Sequence, residues 1–337
     1  MVQFLASRSS TDFSLLLLRL LLVTSSLNPG ACSQVPRGAD SATAAENPLT
    51  RIVGVDPQQQ DGRVQAMHPV SPLLTSEEVE RLNSFDGEPS VEAAGVTRRV
   101  APFSVGQWNY AHATFYGDET AQDTMQGACG YGNMYQQGYG TATTALSSTL
   151  FDNGFACGRC FEIRCVASWA CYLGNPSTIV TATNFCPANW LKPTNNGGWC
   201  NPPRQHFDMS KPAFEKIAAW RAGIVPVAYR RVPCSKQGSM EFRIEGNPWW
   251  HIVFITNVGG PGDIGEVYIR GSGTKRWVRM SHNWGVGFQV FGGYLGQGLS
   301  FMVISSSNLE TVMAWNVVPA NWRLGQTFSG GQFQHPR

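Results

Sequence analysis

Eight of the nine cysteines fall between Cys129 and Cys234, and no other feature limits the fold of this chain as strongly. The spacing is irregular, and the single C-x-x-C unit, Cys157 to Cys160, has no second such pair or nearby histidines to complete a zinc site. The set therefore reads as disulfides of an exported domain, each stabilising the fold by about 2–4 kcal/mol. Spacing alone does not choose the pairing. The ninth cysteine, Cys32, follows an apolar run from Phe13 to Val23 that is preceded by Arg8, followed by small residues, and interrupted only by Arg19. Residues 1–33 are read as a secretory signal peptide whose removal leaves an even count. No apolar stretch is long enough to predict an integral membrane segment.

At 337 residues the chain has room for two domains with their own cores. All 11 tryptophans lie at or beyond Trp108, whereas residues 34–101 hold one aromatic, Phe85, among many small, polar and acidic residues. That stretch is read as a low-complexity, disordered or weakly helical leader. Within it Ser76 to Leu82 predicts a short helix, with Ser76 as N-cap and Val79 and Leu82 on one face. From Pro102 onward there are 17 Lys or Arg against 12 Asp or Glu, so the body is modestly basic. Such a surface suits an acidic polymer environment such as a pectin-containing wall. Nucleic acid is a poor fit, because there is no basic run and no recognisable nucleic-acid motif.

Between Trp108 and Cys234 short apolar runs, such as Phe161 to Cys165 and Thr178 to Thr183, alternate with Gly- and Asn-rich turns and predict a compact barrel with long loops. Two helices are expected to interrupt it. One covers Thr143 to Leu150 and ends near Asn153-Gly154; the other opens at Ser210, carries Pro212 in its first turn, presents Phe214, Ile217 and Ala218 on one face, and stops at Gly223. After Cys234 alternation takes over in Met240–Ile244, Val267–Ile269, Phe288–Val290, Phe301–Ile304 and Val312–Trp315, predicting an antiparallel sandwich. The domains expected are thus 102–236 and 237–337, joined near Cys234 to Gly238 by a linker short enough that they pack together.

Few residues of the first domain can do acid–base chemistry. Asp208, between Phe207 and Met209, is either a buried carboxyl with a raised pKa or a capping carboxylate for the helix that follows. His206 is the second titratable group nearby, although a lone histidine is more often structural. No Gly-x-Ser-x-Gly, His-Glu-x-x-His or phosphate-cradling loop occurs, which disfavours serine, zinc and nucleotide chemistry; no metal or cofactor is expected.

Several motifs in one order carry a resemblance. Thr114-Phe115-Tyr116-Gly117, Gly127-Ala128-Cys129-Gly130-Tyr131-Gly132-Asn133, Gln137-Gly138-Tyr139-Gly140, Cys157-Gly158-Arg159-Cys160, Val180 to Pro187 and His206-Phe207-Asp208 together resemble a plant expansin. The insert containing Trp199-Cys200-Asn201-Pro202-Pro203 is similar to that of the α-expansin subgroup. The resemblance implies a mainly β protein: a six-stranded double-psi β-barrel like that of family 45 glycoside hydrolases, followed by an immunoglobulin-like β-sandwich resembling a cellulose-binding module. It implies disulfides Cys129–Cys157, Cys160–Cys234, Cys165–Cys171 and Cys186–Cys200. It also implies a secreted, monomeric wall-loosening protein that binds cellulose and matrix polysaccharides, xyloglucan or similar, without hydrolysis and best in acid. Asp208 then matches the hydrolase's general acid, and Thr114, Tyr116, Asn184 and His206 line the glucan beside it.

One residue departs from that pattern. Asp118 stands where the related hydrolases carry their catalytic base, in register with Thr114 and Tyr116. The alternative function is accordingly an endo-β-glucanase with Asp118 as base and Asp208 as acid, or else Asp118 lies in a solvated loop with Glu119. In the second domain aromatic rings are the expected handles for a flat sugar chain. Trp249 and Trp250, if adjacent in a strand, point to opposite faces, so at most one belongs to the core. Trp277 and Trp284 are further binding candidates, while Trp315 and Trp322 are assigned to the core or the domain interface.

Overall fold

Six strands close into a barrel in a computed structural model that describes residues 72–85 and 101–334. The segment read as a signal peptide and the rest of the leader lie outside the described residues. The barrel strands are β1 (Asn109–Tyr116), β2 (Thr143–Ser147), β3 (Cys160–Cys165), β4 (Ser177–Cys186), β5 (His206–Ser210) and β6 (Val225–Val232), in the spatial order β1-β5-β2-β4-β3-β6. Two of the neighbouring pairs are parallel, β1 with β5 and β2 with β4. Alternation sends Ala111, Ala113, Phe161, Ile163, Phe207, Met209, Val225 and Val227 into the core. The opposite face of β1 and β5 is thereby left for Thr114, Tyr116, His206 and Asp208.

Both helices expected in this domain are shorter than the pattern suggested. Thr143–Ser147 is strand β2, buried along its whole length, and only Ser148–Phe151 is helical (α2). A strand covered on both faces loses its alternation, and β-branched Thr143 and Thr144 suit the pleat. The second helix is one turn, Lys211–Phe214 (α3), with Ser210 Oγ accepting from the Ala213 N–H at 3.3 Å. Phe214, Ile217 and Ala218 are buried as the pattern requires, but Ala218 pairs with Cys171 in a β-bridge instead of continuing the helix. Asp208 is consequently a strand residue, and the cap is Ser210. The disulfides are Cys129–Cys157, Cys160–Cys234, Cys165–Cys171 and Cys186–Cys200.

The second half is a sandwich of nine strands: β7 (Glu241–Asn247), β8 (Trp250–Thr256), β9 (Glu266–Gly271), β10 (Trp277–Arg279), β11 (Ser281–Trp284), β12 (Gly287–Phe291), β13 (Leu299–Ile304), β14 (Thr311–Val318) and β15 (Thr327–Ser329). They form one sheet in the order β11-β12-β8-β7-β15 and another in the order β10-β9-β13-β14. Their inner faces meet around Phe242 and Phe301, stacked at 4.6 Å, with Val253, Ile255, Val267, Ile269 and Phe288.

Barrel and sandwich are locked together by a buried charge. Asp263, fully buried, accepts from Arg159 Nε at 2.8 Å, lies 3.7 Å from the Arg231 guanidinium, and also accepts from the hydroxyls of Ser305 and Ser307. Burial opposes its ionisation, but Arg231, Arg159 and Ser307 together hold its carboxyl below the usual range. Beside it Gly158 and Gly262 touch: a Cβ on Gly158 would stand 2.1 Å from the Gly262 carbonyl oxygen. Both glycines have positive φ, so close approach and conformation exclude a side chain there together.

Part of the leader also belongs to this fold. Helix α1 (Ser76–Asn83) is capped by Thr75, one residue earlier than expected, through a capping box with Glu78. Leu74 and Leu82 are buried against Tyr268, Trp277, Met302 and Ile304 on the outer face of the β10-β9-β13-β14 sheet, with Trp315 packed alongside. Leu73 donates its N–H to Glu266 at 3.0 Å, and Asn83 Oδ1 accepts from the Trp277 N–H at 2.7 Å on the sheet edge. The poverty of large side chains in the leader therefore rules out a core of its own but not docking onto one already formed.

Burying Leu82 stabilises the docked helix by about 1.5–3 kcal/mol, so Leu82→Asp is expected to raise the undocked population roughly 10- to 100-fold. Limited proteolysis within residues 72–85 should accelerate accordingly while the melting temperature of the body holds. Asp263→Asn leaves the largely buried Arg231 without its anion and Arg159 with only the exposed Asp152, and is expected to cost about 3–5 kcal/mol in urea unfolding. Because the folded pKa of Asp263 is depressed, its contribution is present above the ordinary carboxylate range and lost as pH falls through its titration. The difference between wild type and variant should shrink in that acidic window.

Candidate functional site

The pairing of β1 with β5 puts His112 opposite His206 and Thr114 opposite Asp208. Thr114 sits between the two titratable groups: its hydroxyl donates to Asp208 Oδ1 at 2.6 Å and lies 2.8 Å from His206 Nε2. A consistent assignment has the neutral imidazole donating from Nε2 to Thr114, which then donates to the carboxylate. His206 is fully buried, and burial, with smaller contributions from His112 and Arg204, lowers its pKa to about 3. It is therefore a neutral orienting group, and its Nδ1 has no partner among the described residues. Asp208 is pushed the other way: burial raises its pKa, and the Thr114 hydrogen bond only partly offsets this.

Beside this relay stands Tyr116, whose hydroxyl accepts from Asn184 Nδ2 at 3.3 Å. Burial pushes the phenol up to about 12, so it remains a neutral donor. Asn184 is itself fixed by accepting from the N–H groups of Ala128 at 2.7 Å and Phe185 at 2.9 Å. Gly127 permits this, since a Cβ there would lie 2.6 Å from the Thr183 carbonyl oxygen. Thr114, Tyr116, Asn184, His206 and Asp208 thus form one constellation with a single carboxyl group.

Asp118 does not join it. The residue is exposed, and its carboxylate accepts from the Thr120 hydroxyl at 2.7 Å and the Thr120 N–H at 2.9 Å, bonds that hold its pKa below the ordinary value. Its loop is tied down through an ion pair of neighbouring Glu119 with Lys211. Both Thr120 bonds fall on Oδ1, so a local turn engages one oxygen of the carboxylate. Among the described residues no group of three or more His, Cys, Asp or Glu is placed to hold a metal ion, and no helix is long and apolar enough to cross a membrane.

The aromatic candidates separate clearly. Trp249 is not in a strand: Pro248 and Trp249 form the hairpin between β7 and β8, leaving Trp249 75 % exposed. Trp250 opens β8 on the outward face, its Nε1 donating to Gln289 at 3.2 Å. Directly opposite it on β12 is Phe291, 73 % exposed. Phe291 was missed, although extending the Phe288-Gln289-Val290 alternation by one residue puts it outward. Trp284 is half-exposed and bridges the two domains, donating from Nε1 to the Ala128 carbonyl at 2.7 Å. Trp277 is only 4 % exposed beneath α1, so it offers no ring to a ligand. Trp322 is core, donating to the Gln297 carbonyl, and Trp315 packs in the cluster under α1.

The outer face of the β11-β12-β8-β7-β15 sheet therefore carries Trp249, Trp250 and Phe291 at one end, while Phe254, farther along β8, lies against the barrel turn at Gly130. That turn is joined to the Ala128–Asn184 contact beside Tyr116. Over residues 143–229 the chain matches a double-psi barrel family described as lytic transglycolase, and over 240–319 the expansin C-terminal domain. It is 59 % identical over 223 residues to expansin-A7 of Arabidopsis thaliana, covering 66 % of this chain and 84 % of that one. The chain belongs to the α-expansins. It is also 50 % identical over 241 residues to expansin-A13 of Oryza sativa subsp. japonica, covering 70 % of this chain and 91 % of the relative. The expansin of Clavibacter michiganensis shares the fold at a TM-score of 0.51 and 16 % identity, over 68 % of this chain and all of that one; a mutant of it has been solved with cellohexaose.

Thr114→Val removes the hydrogen bond that favours ionised Asp208, so carboxyl NMR should show Asp208 titrating at higher pH in that variant than in wild type. Since the folded pKa of Asp208 is raised, ionisation costs stability as pH rises through it. Asp208→Asn is accordingly expected to match or exceed the wild-type melting temperature at neutral pH, with the gap closing on acidification.

Proposed function

We propose that this α-expansin holds an extended β-glucan chain along the surface from Asp208 and Asn184 to Trp249, Trp250 and Phe291, loosening its contacts with neighbouring chains without cutting it. The cellohexaose complex of the bacterial expansin that shares this fold supports cellulose as a ligand, with xyloglucan or a similar matrix glucan as the second partner. The site of action is the plant cell wall, which the protein reaches by secretion and where it works as a monomer.

The observation that carries the reading is the solitary buried acid. Glycoside cleavage needs one carboxyl to protonate the leaving oxygen and a second to activate water or attack carbon. Asp208 suits the first task, while Asp118 is exposed and engages Thr120 in its own turn, which supports its standing apart from the second. Protonated Asp208, with Thr114 and Tyr116, presents a set of neutral hydrogen-bonding groups that compete for glucan hydroxyls. The raised pKa of Asp208 keeps more of it protonated in an acidic wall than an ordinary carboxyl, and deprotonation on raising the pH withdraws that donor. The exposed rings of the sandwich add stacking on sugar faces at small entropic cost.

Creep of clamped wall strips and release of reducing ends from soluble β-glucan test this together. Wild type should drive creep without releasing sugar; Asp208→Asn should abolish creep, and Asp118→Asn should leave it unchanged. Trp249→Ala combined with Phe291→Ala should weaken cellulose binding about 10-fold or more, taking about 1 kcal/mol or more for each stacked ring. Sugar release that depends on both Asp118 and Asp208 would replace this reading with that of an endoglucanase.

A further inference from the structure

The face that carries the relay continues beyond His206. The alternation that sets Thr114 and Tyr116 on one side of β1 also sets His112 and Tyr110 there, and the parity of Asp208 and His206 extends back to Arg204 just before β5. At this end Tyr110, His112, Arg204 and Gln205 line a pocket of about 510 Å³ together with Thr194 and Pro203 of the insert. Its size falls in the range of small-ligand sites, roughly 300–1,000 Å³.

Three features define what fits. Among the described residues no carboxylate lies within ion-pair distance of Arg204, unlike Arg159, Arg230 and Arg231, which all have acidic partners. Its guanidinium contacts the ring of Trp199 at 5.4 Å. The pocket is positive: Arg204 disfavours the charged form of His112 and of His206, in each case after the larger effect of burial. Tyr110 is 77 % exposed and offers a flat ring on the same face, and the Gln205 amide oxygen accepts from Tyr229 at 2.8 Å, leaving its NH2 for another acceptor. A planar fork of donors pairs best with a carboxylate, and an exposed ring with the C–H face of a sugar. A neutral glucose unit would leave the cation unmatched, and a simple anion would make no use of the ring.

We propose that this pocket is a subsite for a uronic acid residue of an acidic matrix polysaccharide, with Arg204 pairing with the sugar carboxylate and Tyr110 stacking on its ring. The inference rests on the wall-glycan reading above and narrows the matrix partner to chains that carry uronate groups. The relay at Asp208 and the cationic pocket then engage different stretches of wall polymer on one strand face.

Titration calorimetry at about pH 6, where uronates are ionised, tests it with the full chain. The probes are trigalacturonate, xylotetraose bearing one glucuronate, unsubstituted xylotetraose, and sulfate. At least one of the acidic oligosaccharides should bind about fivefold or more tightly than the neutral one, and about 0.3 M salt should erode the preference. Arg204→Gln should abolish the preference, and Tyr110→Ala should weaken binding of the acidic probe, both with unchanged melting temperature and unchanged creep on cellulose-rich strips. Equal affinity for acidic and neutral probes, persistence of the preference in Arg204→Gln, or sulfate competing as well as the uronate would each overturn the proposal. Failure of wild type to drive creep would instead remove the wall-loosening reading, and the calorimetry would still decide the pocket.

Discussion

A carboxylate with no access to water holds the two halves of this protein in register. Asp263 belongs to the sandwich segment, and its cationic partners Arg159 and Arg231 belong to the barrel. Burying one charge is costly unless partners surround it, and an arrangement that satisfies it from both sides tolerates little sliding of one domain over the other. The Gly158–Gly262 contact and the paired backbone bonds between Cys234 and Gly260 add steric and directional constraints at the same seam. A ligand chain that extends across both domains is bound well only if its two footprints keep a fixed offset, because each freely moving joint must be ordered on binding. The seam provides that order beforehand.

The same economy governs the barrel face. One side of β1 and β5 supplies Thr114, His206 and Asp208 because alternation has committed the other side to the core. A hydroxyl between an imidazole and a carboxyl links the orientation of the two: with Asp208 ionised, the chain runs from His206 through Thr114 to Asp208. With His206 driven neutral by burial, it holds no charge that would keep Asp208 ionised. The site thus favours the protonated acid more than an ordinary carboxyl does, and Asp118 engages Thr120 through Oδ1 in its own turn.

How much of this was legible in the chain depends on whether the deciding contacts are local. The sandwich strands could be read because each buries one face and so alternates, and the cysteine window marked the barrel. Strand β2 was mistaken for a helix because burial on both sides removes alternation, and β5 was hidden because only two apolar residues, Phe207 and Met209, flank Asp208. Trp250 and Phe291 face each other through register, which periodicity can suggest. Trp249 lies in the hairpin instead of the strand, a distinction of one residue. Asp118 shows the limit: its register matches a catalytic base, while the bonds from Thr120 to its Oδ1 are a contact that register does not disclose.

Trp277 makes the same point over a longer range. Its sheet also carries aromatic rings, with Tyr268 and Trp315 beside it, so the residue type alone makes Trp277 as good a candidate for a sugar chain as Trp249 and Trp250. What separates them is Leu74 and Leu82, nearly two hundred residues earlier, in a segment too sparse to fold alone. Docking lets a weak helix form, because its few apolar side chains meet a surface already built. That surface in turn is removed from the set available to ligands. The two outer faces of the sandwich are therefore unequal for a reason that lies outside the sandwich, and counting tryptophans overstates the glucan-binding surface by the area that α1 covers.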